Sequence, residues 1–365
     1  MSQIVDGVLK EWGDRLFYAP VKGKKGRNVC GGRARSTEPG KPTTAAGVKS
    51  RLTRTTGRAP EVMVKISGGG KNMGQIKAHL DYISRNGEVE LEDENGAVLR
   101  GVDDVREVRD AWAKGKIGIP QEGERRREAF NIVLSMPPGT DRAAVKNAAR
   151  QFAAEQFGNH QYVFAAHEDE KHPHVHLAVK AVDKSGVRMN PRKADLQAWR
   201  EHFADKLREL GIAANATPRR ARGVVQKAEK QAVRWIDKQH REGKRSAPSR
   251  AKAGRAAAVA QELAGKGAHA NPAAGAITER RKKTVHAYGQ LARALAQSPD
   301  AADKQLALNI VGFVQSMPQI RSRHQIELEA ARTAVNKGGT ERGREQQREA
   351  ARQQKGRDDQ EDRSR

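Results

Sequence analysis

The chain has 365 residues, with 69 Lys and Arg against 44 Asp and Glu, a formal net charge of +25. Only 36% of residues are hydrophobic and 4% aromatic, which excludes one uniformly packed globule and predicts a folded domain flanked by basic, weakly packed extensions. The charge points to a polyanion, nucleic acid first, and the single cysteine, Cys30, excludes an internal disulfide and fits a reducing compartment.

Residues 1–59 read as a basic, largely disordered extension. Met1 to Lys25 carries Asp6, Glu11 and Asp14 and no apolar run of signal-peptide length. No stretch approaches the roughly 20 apolar residues of a membrane span, so a cytoplasmic protein without membrane insertion is expected. Pro20 to Arg58 holds 11 basic residues and one acid with no apolar period, and is expected to order only on a partner.

Order is expected from Val62, where Val62-Met63-Val64-Lys65-Ile66 alternates as a strand does and Gly68-Gly69-Gly70 stops it. Met73, Ile76, Leu80 and Ile83 then recur at helical spacing up to Asn86-Gly87. Glu88 to Gly96 reads as a hairpin or loop, Asp103 to Lys114 as a second helix, and Phe130 to Ser135 as a second strand closed by Pro137-Pro138-Gly139. A helix over Ala143–Phe157 follows a capping candidate in Thr140 or Asp141. Strands over Tyr162–Ala166 and His174–Val182 and a helix over Ala194–Leu210 complete an α+β domain of residues 60–215. The link between those two strands is too short for a parallel crossover, so the sheet is expected to be antiparallel with helices packed on it. Residues 216–337 read as a basic, mostly α-helical region, with 13 basic and 3 acidic residues between Thr217 and Arg255. Residues 338–365 mix 8 basic with 7 acidic residues and no large apolar side chain, and read as a disordered charged tail.

The densest chemistry lies in His167-Glu168-Asp169-Glu170-Lys171-His172-Pro173-His174-Val175-His176, which holds four of the chain's 11 histidines. On a strand His174 and His176 share one face while Val175 and Leu177 pack behind. His167, at the end of the preceding strand, can swing over that same face. A lone histidine is most simply polar and solvated, but imidazoles interleaved with core residues need partners. Three of them make a metal platform with positions left for substrate oxygens. Asp169 and His172 could each add a ligand or orient one. Imidazole ligation alone would suit Zn, Mn, Ni or Cu. A nucleophile must decide the chemistry. Tyr82, one of four tyrosines, sits near the end of the first predicted helix of the domain with Arg85 one turn on; taken alone it is an ordinary half-buried packing residue.

Tyr82-Ile83-Ser84-Arg85-Asn86-Gly87, then Val133-Leu134-Ser135-Met136-Pro137-Pro138-Gly139-Thr140-Asp141, then His167-x-Asp169-x-x-His172-Pro173-His174-x-His176 together resemble the three ordered motifs of conjugative relaxases. The nearest branch is the mobilisation and T-DNA-border type of the VirD kind, among the HUH endonucleases. The resemblance covers about residues 60–225, including Arg219-Arg220-Ala221-Arg222-Gly223. It implies that Tyr82 nicks one strand at an origin of transfer and stays joined to the 5′ end. It implies that Ser135 binds DNA beside the scissile phosphate, that His167, His174 and His176 hold a divalent ion, Mg or Mn, and that Asp169 supports a histidine or helps deprotonate the tyrosine. Relatives tend to carry Asn where this chain has Lys180. Lys71, in the glycine loop, and Arg85, Arg219, Arg220 and Arg222 are expected to contact DNA.

The partners so implied are single-stranded DNA and origin-of-transfer duplex, accessory relaxosome proteins and a type IV coupling protein. The C-terminal helices would contact duplex DNA or accessory proteins, and the tail would serve as a secretion signal, so that a protein made in the bacterial donor's cytoplasm travels with the strand. Two other readings are a rolling-circle replication initiator, which more usually places its tyrosine after the histidines, and a non-catalytic basic nucleic-acid-binding protein with a structural metal.

Overall fold

The computed structural model describes residues 2–18, 44–115, 117–122, 126–226, 229–267 and 270–337. Six strands, β1 (Met63–Gly68), β2 (Leu91–Asp93), β3 (Val98–Leu99), β4 (Ala129–Ser135), β5 (Tyr162–His167) and β6 (His174–Lys180), form one sheet in the order β1-β4-β6-β5-β2-β3. Every neighbouring pair is antiparallel. β4 and β6 pair over their full lengths, from Ala129 opposite Lys180 to Ser135 opposite His174.

The strands alternate, so the sheet has two separately covered faces. On one, Val64, Phe130, Ile132, Leu134, Phe164, Val175, Leu177 and Val179 pack against α5 (Arg142–Phe157) and α6 (Lys193–Glu209), through Phe152 and Phe157 of the first and Trp199 and Phe203 of the second. On the other, Ala129, Val163, Ala165 and Ala178 pack under α3 (Met73–Ile83) and α4 (Gly101–Lys114), through Ile76, Leu80, Val105 and Trp112. Small residues in the sheet and large ones in the helices let α3 sit close on this face. Both clusters draw only on residues between 62 and 216.

The alternation and helical spacings yielded elements at or near their predicted places, and the expected α+β antiparallel architecture is what the structure has. The N-terminal region differs from expectation. α1 (Ser2–Phe17) buries Val5, Leu9, Leu16 and Phe17, and α2 (Ala45–Thr56) buries Val48 and Leu52 and is capped by Thr44 Oγ1, which accepts from Gly47 N at 3.0 Å. Part of the stretch read as disordered is therefore helix: basic residues outnumber the apolar ones, but Ala45, Val48 and Leu52 sit at helical spacing. Gly13 lets the two helices touch, since a Cβ there would lie 2.6 Å from Val48 Cγ2. The remainder, residues 19–43, lies outside the described residues, as does the predicted tail, 338–365.

The expected helical region 216–337 also divides differently. One compact unit comprises Met1–Arg222 with Val285–Ser316, the other Gly223–Thr284 with Met317–Arg365. In the first, α10 (Ala301–Gln315) packs on α2, where Lys49 Nζ meets Asp303 Oδ2 at 2.7 Å. The second contains α7 (Gln231–Arg241), α8 (Arg250–Leu263), the first half of α9 (Ala274–Ala296) and a last helix, 323–337. No described helix is long and apolar enough to cross a membrane.

Candidate metal and tyrosine site

The site lies at one end of the sheet, on the face under α3. His174 stands opposite His167 in the β5–β6 hairpin and opposite Ser135 across β4, and His176 stands opposite Ala165. Paired residues of antiparallel strands point the same way, so all three imidazoles share the face. One ligand nitrogen from each of His167, His174 and His176 can be chosen such that all lie within 4.8 Å of one another, and all three residues are buried. They are the one such group of three or more His, Cys, Asp or Glu side chains among the described residues.

The hydrogen bonds decide which nitrogens are available. A carbonyl oxygen only accepts, so His167 donates from Nε2 to Ile83 O at 2.7 Å and keeps its lone pair on Nδ1. His174 donates from Nδ1 to His172 O at 3.2 Å and keeps its lone pair on Nε2. His176 Nδ1 is buried without a hydrogen-bond partner. Burial, reinforced by the positive charge of neighbouring histidines and Arg85, pushes the His176 imidazole down to about 3. Burial likewise lowers His174. Neutral imidazoles at His174 and His176, beside His167 and His174 rings oriented by backbone carbonyls, are what a divalent cation requires. The three residues therefore fit a metal ion.

Tyr82 projects from the last turn of α3 over this cluster. Its ring centroid is 5.6 Å from that of His176 and 6.3 Å from that of His167, edge to face in both cases, and the residue is 52% exposed. The nucleophile candidate is thus beside the histidines yet open to a macromolecular substrate. α3 ends here because Arg85, Asn86 and Gly87 run consecutively in the left-handed region, with φ of 51°, 58° and 94°. Gly87 has no alternative, since a Cβ would lie 2.6 Å from the Gly101 carbonyl carbon. The reversal aims Arg85 back at the site. Its guanidinium carbon lies 5.0 Å from the Tyr82 ring centroid, Nη2 lies 3.4 Å from His167 Nδ1, and the side chain is ion-paired with Asp169. Burial raises the Asp169 carboxyl, but the Arg85 hydrogen bond and charge outweigh it and hold the group below the usual carboxylate range. Asp169 is therefore an anion clamped by Arg85.

His172 falls outside the ligand cluster; its ring is 5.4 Å from that of His174, and its carbonyl orients His174. Ser135 is 3% exposed and its hydroxyl donates to Pro173 O at 3.1 Å, holding the start of β6 against β4. The arginine segment reaches the same end of the sheet. Glu61 precedes β1, Met63 pairs with Ser135, and Arg222 Nε is 3.5 Å from Glu61 Oε1. Two strand spacings, about 10 Å, separate β1 from β6. Arg219 is exposed and Arg220 partly buried beside it.

Lys71 is not brought to the site. It precedes α3 at the end opposite Tyr82, and eleven residues of helical rise put about 16 Å between them. Its glycine loop is explained by packing: a Cβ on Gly69 would lie 2.5 Å from Ala129 O, one on Gly70 2.3 Å from Ile76 Cγ1, and Gly70 O accepts from Glu128 N at 2.7 Å. Lys180 is also at that far end, buried, with Nζ donating to Gln161 Oε1 at 3.0 Å, and burial lowers its ammonium.

The sequence reading missed His79. One turn before Tyr82 on α3, its ring stacks near the tyrosine at 6.2 Å, Nε2 is buried without a partner, and burial lowers it to about 4. Its spacing of three residues from Tyr82 was the available signal. Arg142 was missed too; it opens α5 and donates to His167 O at 3.3 Å. So was Arg109 on α4, buried, which holds Asp81 Oδ1 at 2.8 Å immediately before Tyr82.

Residues 82–212, starting at this tyrosine, match the family model described as relaxase, MobA/VirD2-like, nuclease domain. The T-DNA border endonuclease VirD2 of Rhizobium radiobacter is 31% identical over 187 residues, covering 46% of this chain and 44% of that protein. Its counterparts in Rhizobium rhizogenes and Agrobacterium fabrum are each 30% identical over 186 residues, covering 46% of this chain and 43% and 42% of theirs. The chain thus matches less than half the length of these curated relatives. With the sheet, the histidine cluster and the tyrosine arranged as above, residues 82–212 are similar to the nuclease domain of MobA/VirD2-like relaxases.

Proposed function

We propose that the chain is a relaxase that nicks one DNA strand at an origin of transfer through Tyr82. The observation that carries this reading is the placement of a half-exposed tyrosine ring 5.6 Å from His176 and 6.3 Å from His167. The Tyr82 oxygen attacks the scissile phosphorus, a bond forms between them, and the bond to the 3′ oxygen breaks, that oxygen leaving with a proton. One phosphodiester is exchanged for another, so the strand stays joined through its 5′ phosphate and the reverse reaction reseals it. His167 through Nδ1, His174 through Nε2 and His176 would hold Mg or Mn, which would polarise a non-bridging oxygen and offset the charge of the in-line transition state. Asp169, kept anionic by Arg85, supports the His167 edge of the site, and Arg85 lies within reach of a phosphate bound over Tyr82. Arg219, Arg220 and Arg222, at the same end of the sheet, would hold the backbone of single-stranded or locally melted DNA. Transfer of the linked strand would require accessory relaxosome proteins and a type IV coupling protein, and would carry the protein from the donor cytoplasm to the recipient.

The test is covalent capture. Wild-type protein incubated with Mn²⁺ and an oligonucleotide carrying the nick site should become joined to the fragment with the new 5′ end, and Tyr82→Phe should bind the oligonucleotide without joining it. Covalent attachment by Tyr82→Phe would place the nucleophile elsewhere.

A further inference from the structure

The second unit, Gly223–Thr284 with Met317–Arg365, carries a surface that the nuclease chemistry does not use. Trp235, on α7, is 58% exposed, whereas Trp112 and Trp199 are each 2% exposed and Trp12 is half-buried. At 100° per residue Arg234, Trp235, Lys238 and Arg241 fall within a 120° arc of α7, while Val233, Ile236, Asp237 and His240 occupy the other side and are partly or fully buried. The helix thus presents one indole at the edge of a row of three cations. Arg234 and Arg241 are two turns, about 10 Å, apart.

They line a cleft of about 320 Å³ that Lys252 of α8 also borders. The acids of this cleft already have partners, among them Arg255 of the same lining. Glu229 pairs with Arg255 at 3.0 Å and Arg323 at 2.5 Å, Glu327 pairs with Arg255 at 3.0 Å, and the Asp237 carboxylate accepts from Ser249 N at 2.8 Å and Ser249 Oγ at 3.1 Å. Among the described residues Arg234, Arg241 and Lys252 make no side-chain ion pair or hydrogen bond. The outer face of α7 therefore sets an exposed indole, outside the cleft lining, beside cations that make no side-chain ion pair or hydrogen bond among the described residues.

From this arrangement we propose that the outer face of α7 is a second binding site for single-stranded nucleic acid, with an unpaired base stacked on Trp235 and adjacent phosphates held by Arg234, Arg241 and Lys252. The indole selects for a single strand. In a duplex the base faces are already covered by their neighbours, and an exposed ring meets only backbone and groove edges, whereas an unpaired base has a free face to stack. This departs from the contact with duplex DNA or accessory proteins expected of these helices. It also disfavours an anionic membrane surface as the occupant, because the apolar residues that an interfacial helix would insert, Val233 and Ile236, face inward here. The site stands on residues outside the nuclease domain and does not depend on the reaction proposed for it.

The test uses the full chain in EDTA, so that strand cutting plays no part, and follows tryptophan emission during titration with a thymidine homopolymer lacking any nick site. The homopolymer should quench a component of the emission that the Trp235→Phe variant lacks, and a duplex of the same length should quench it far less. By anisotropy of the labelled homopolymer, Trp235→Ala should weaken that second binding phase roughly 5- to 100-fold, with Trp235→Phe close to wild type. The Arg234→Gln, Arg241→Gln double variant should lower the slope of log K against log salt by about 1.4. Equal quenching in wild type and Trp235→Phe would overturn the proposal. So would quenching by the duplex, or by phosphatidylserine vesicles, as strong as that by the homopolymer.

Discussion

Tyr82 lies edge-on to two imidazoles, under a guanidinium and one helical turn from a third imidazole, His79. Each contact has a separate consequence. His176 has a buried Nδ1 with no partner and an imidazole pushed down to about 3, so protons compete poorly with a cation there. Replacing it with Ala should reduce Mn²⁺ affinity, read by calorimetry, by more than the roughly 10- to 100-fold typical of losing an outer partner of a ligand. Unchanged affinity would remove His176 from the ligand set. His79 titrates at about 4 in the folded chain because it is buried, against about 6.5 in an unfolded one. The folded state binds fewer protons between those values, so the contribution of His79 to stability is full above about pH 6.5 and is lost as pH falls toward 4. In His79→Gln the unfolding midpoint should fall less steeply across that window than in wild type; parallel curves would show that His79 takes no part.

The Tyr82 end of α3 is fixed by elements on three sides. Asn72 caps its start, accepting from Gln75 N at 3.0 Å, and the left-handed run from Arg85 to Gly87 ends it. The Ile83 carbonyl accepts from His167, so the last turn of the helix is tied to the end of β5. Arg109 of α4 grips Asp81 beside Tyr82. Arg109→Met should cost about 1–2 kcal/mol in urea unfolding, since Asp81 loses a charged hydrogen bond but keeps some contact with solvent. It should also slow covalent joining more than it weakens oligonucleotide binding, because the ion pair is largely buried and holds Asp81, the residue next to Tyr82. A loss of binding equal to the loss of joining would contradict that role. The β5–β6 hairpin contributes in the opposite direction: its register alone brings His167 and His174 face to face.

Across the whole molecule the charge of +25 is unevenly used. The nuclease domain spends many of its cations internally, as in Arg150 with Glu92, Arg188 with Glu128 at 2.7 Å and Arg109 with Asp81. On α7, by contrast, Arg234 and Arg241 are exposed and make no ion pair among the described residues. Removing residues 338–365, with 8 basic and 7 acidic residues, changes the net charge by only one, 8 − 7. That deletion should therefore leave nicking and its salt dependence intact in vitro and abolish strand transfer between cells, if the segment is the secretion signal. Loss of nicking would refute the division of labour.

Local periods were readable in advance. The alternation of His174-Val175-His176-Leu177 placed the imidazoles on one side and the core on the other, and the spacing of Met73, Ile76, Leu80 and Ile83 placed Tyr82 on a helix, because both patterns follow from the geometry of two or four consecutive residues. The short link from His167 to His174 dictated an antiparallel hairpin for the same reason. Contacts between distant segments carried no such pattern. That α3 lies on the histidine face, that Arg85 clamps Asp169, that His79 faces the site and Lys71 does not, and that α10 packs on α2 depend on which apolar surfaces find each other. Burial is not directional: it makes a helix cover a sheet, and only the assembled fold decides which helix covers which face.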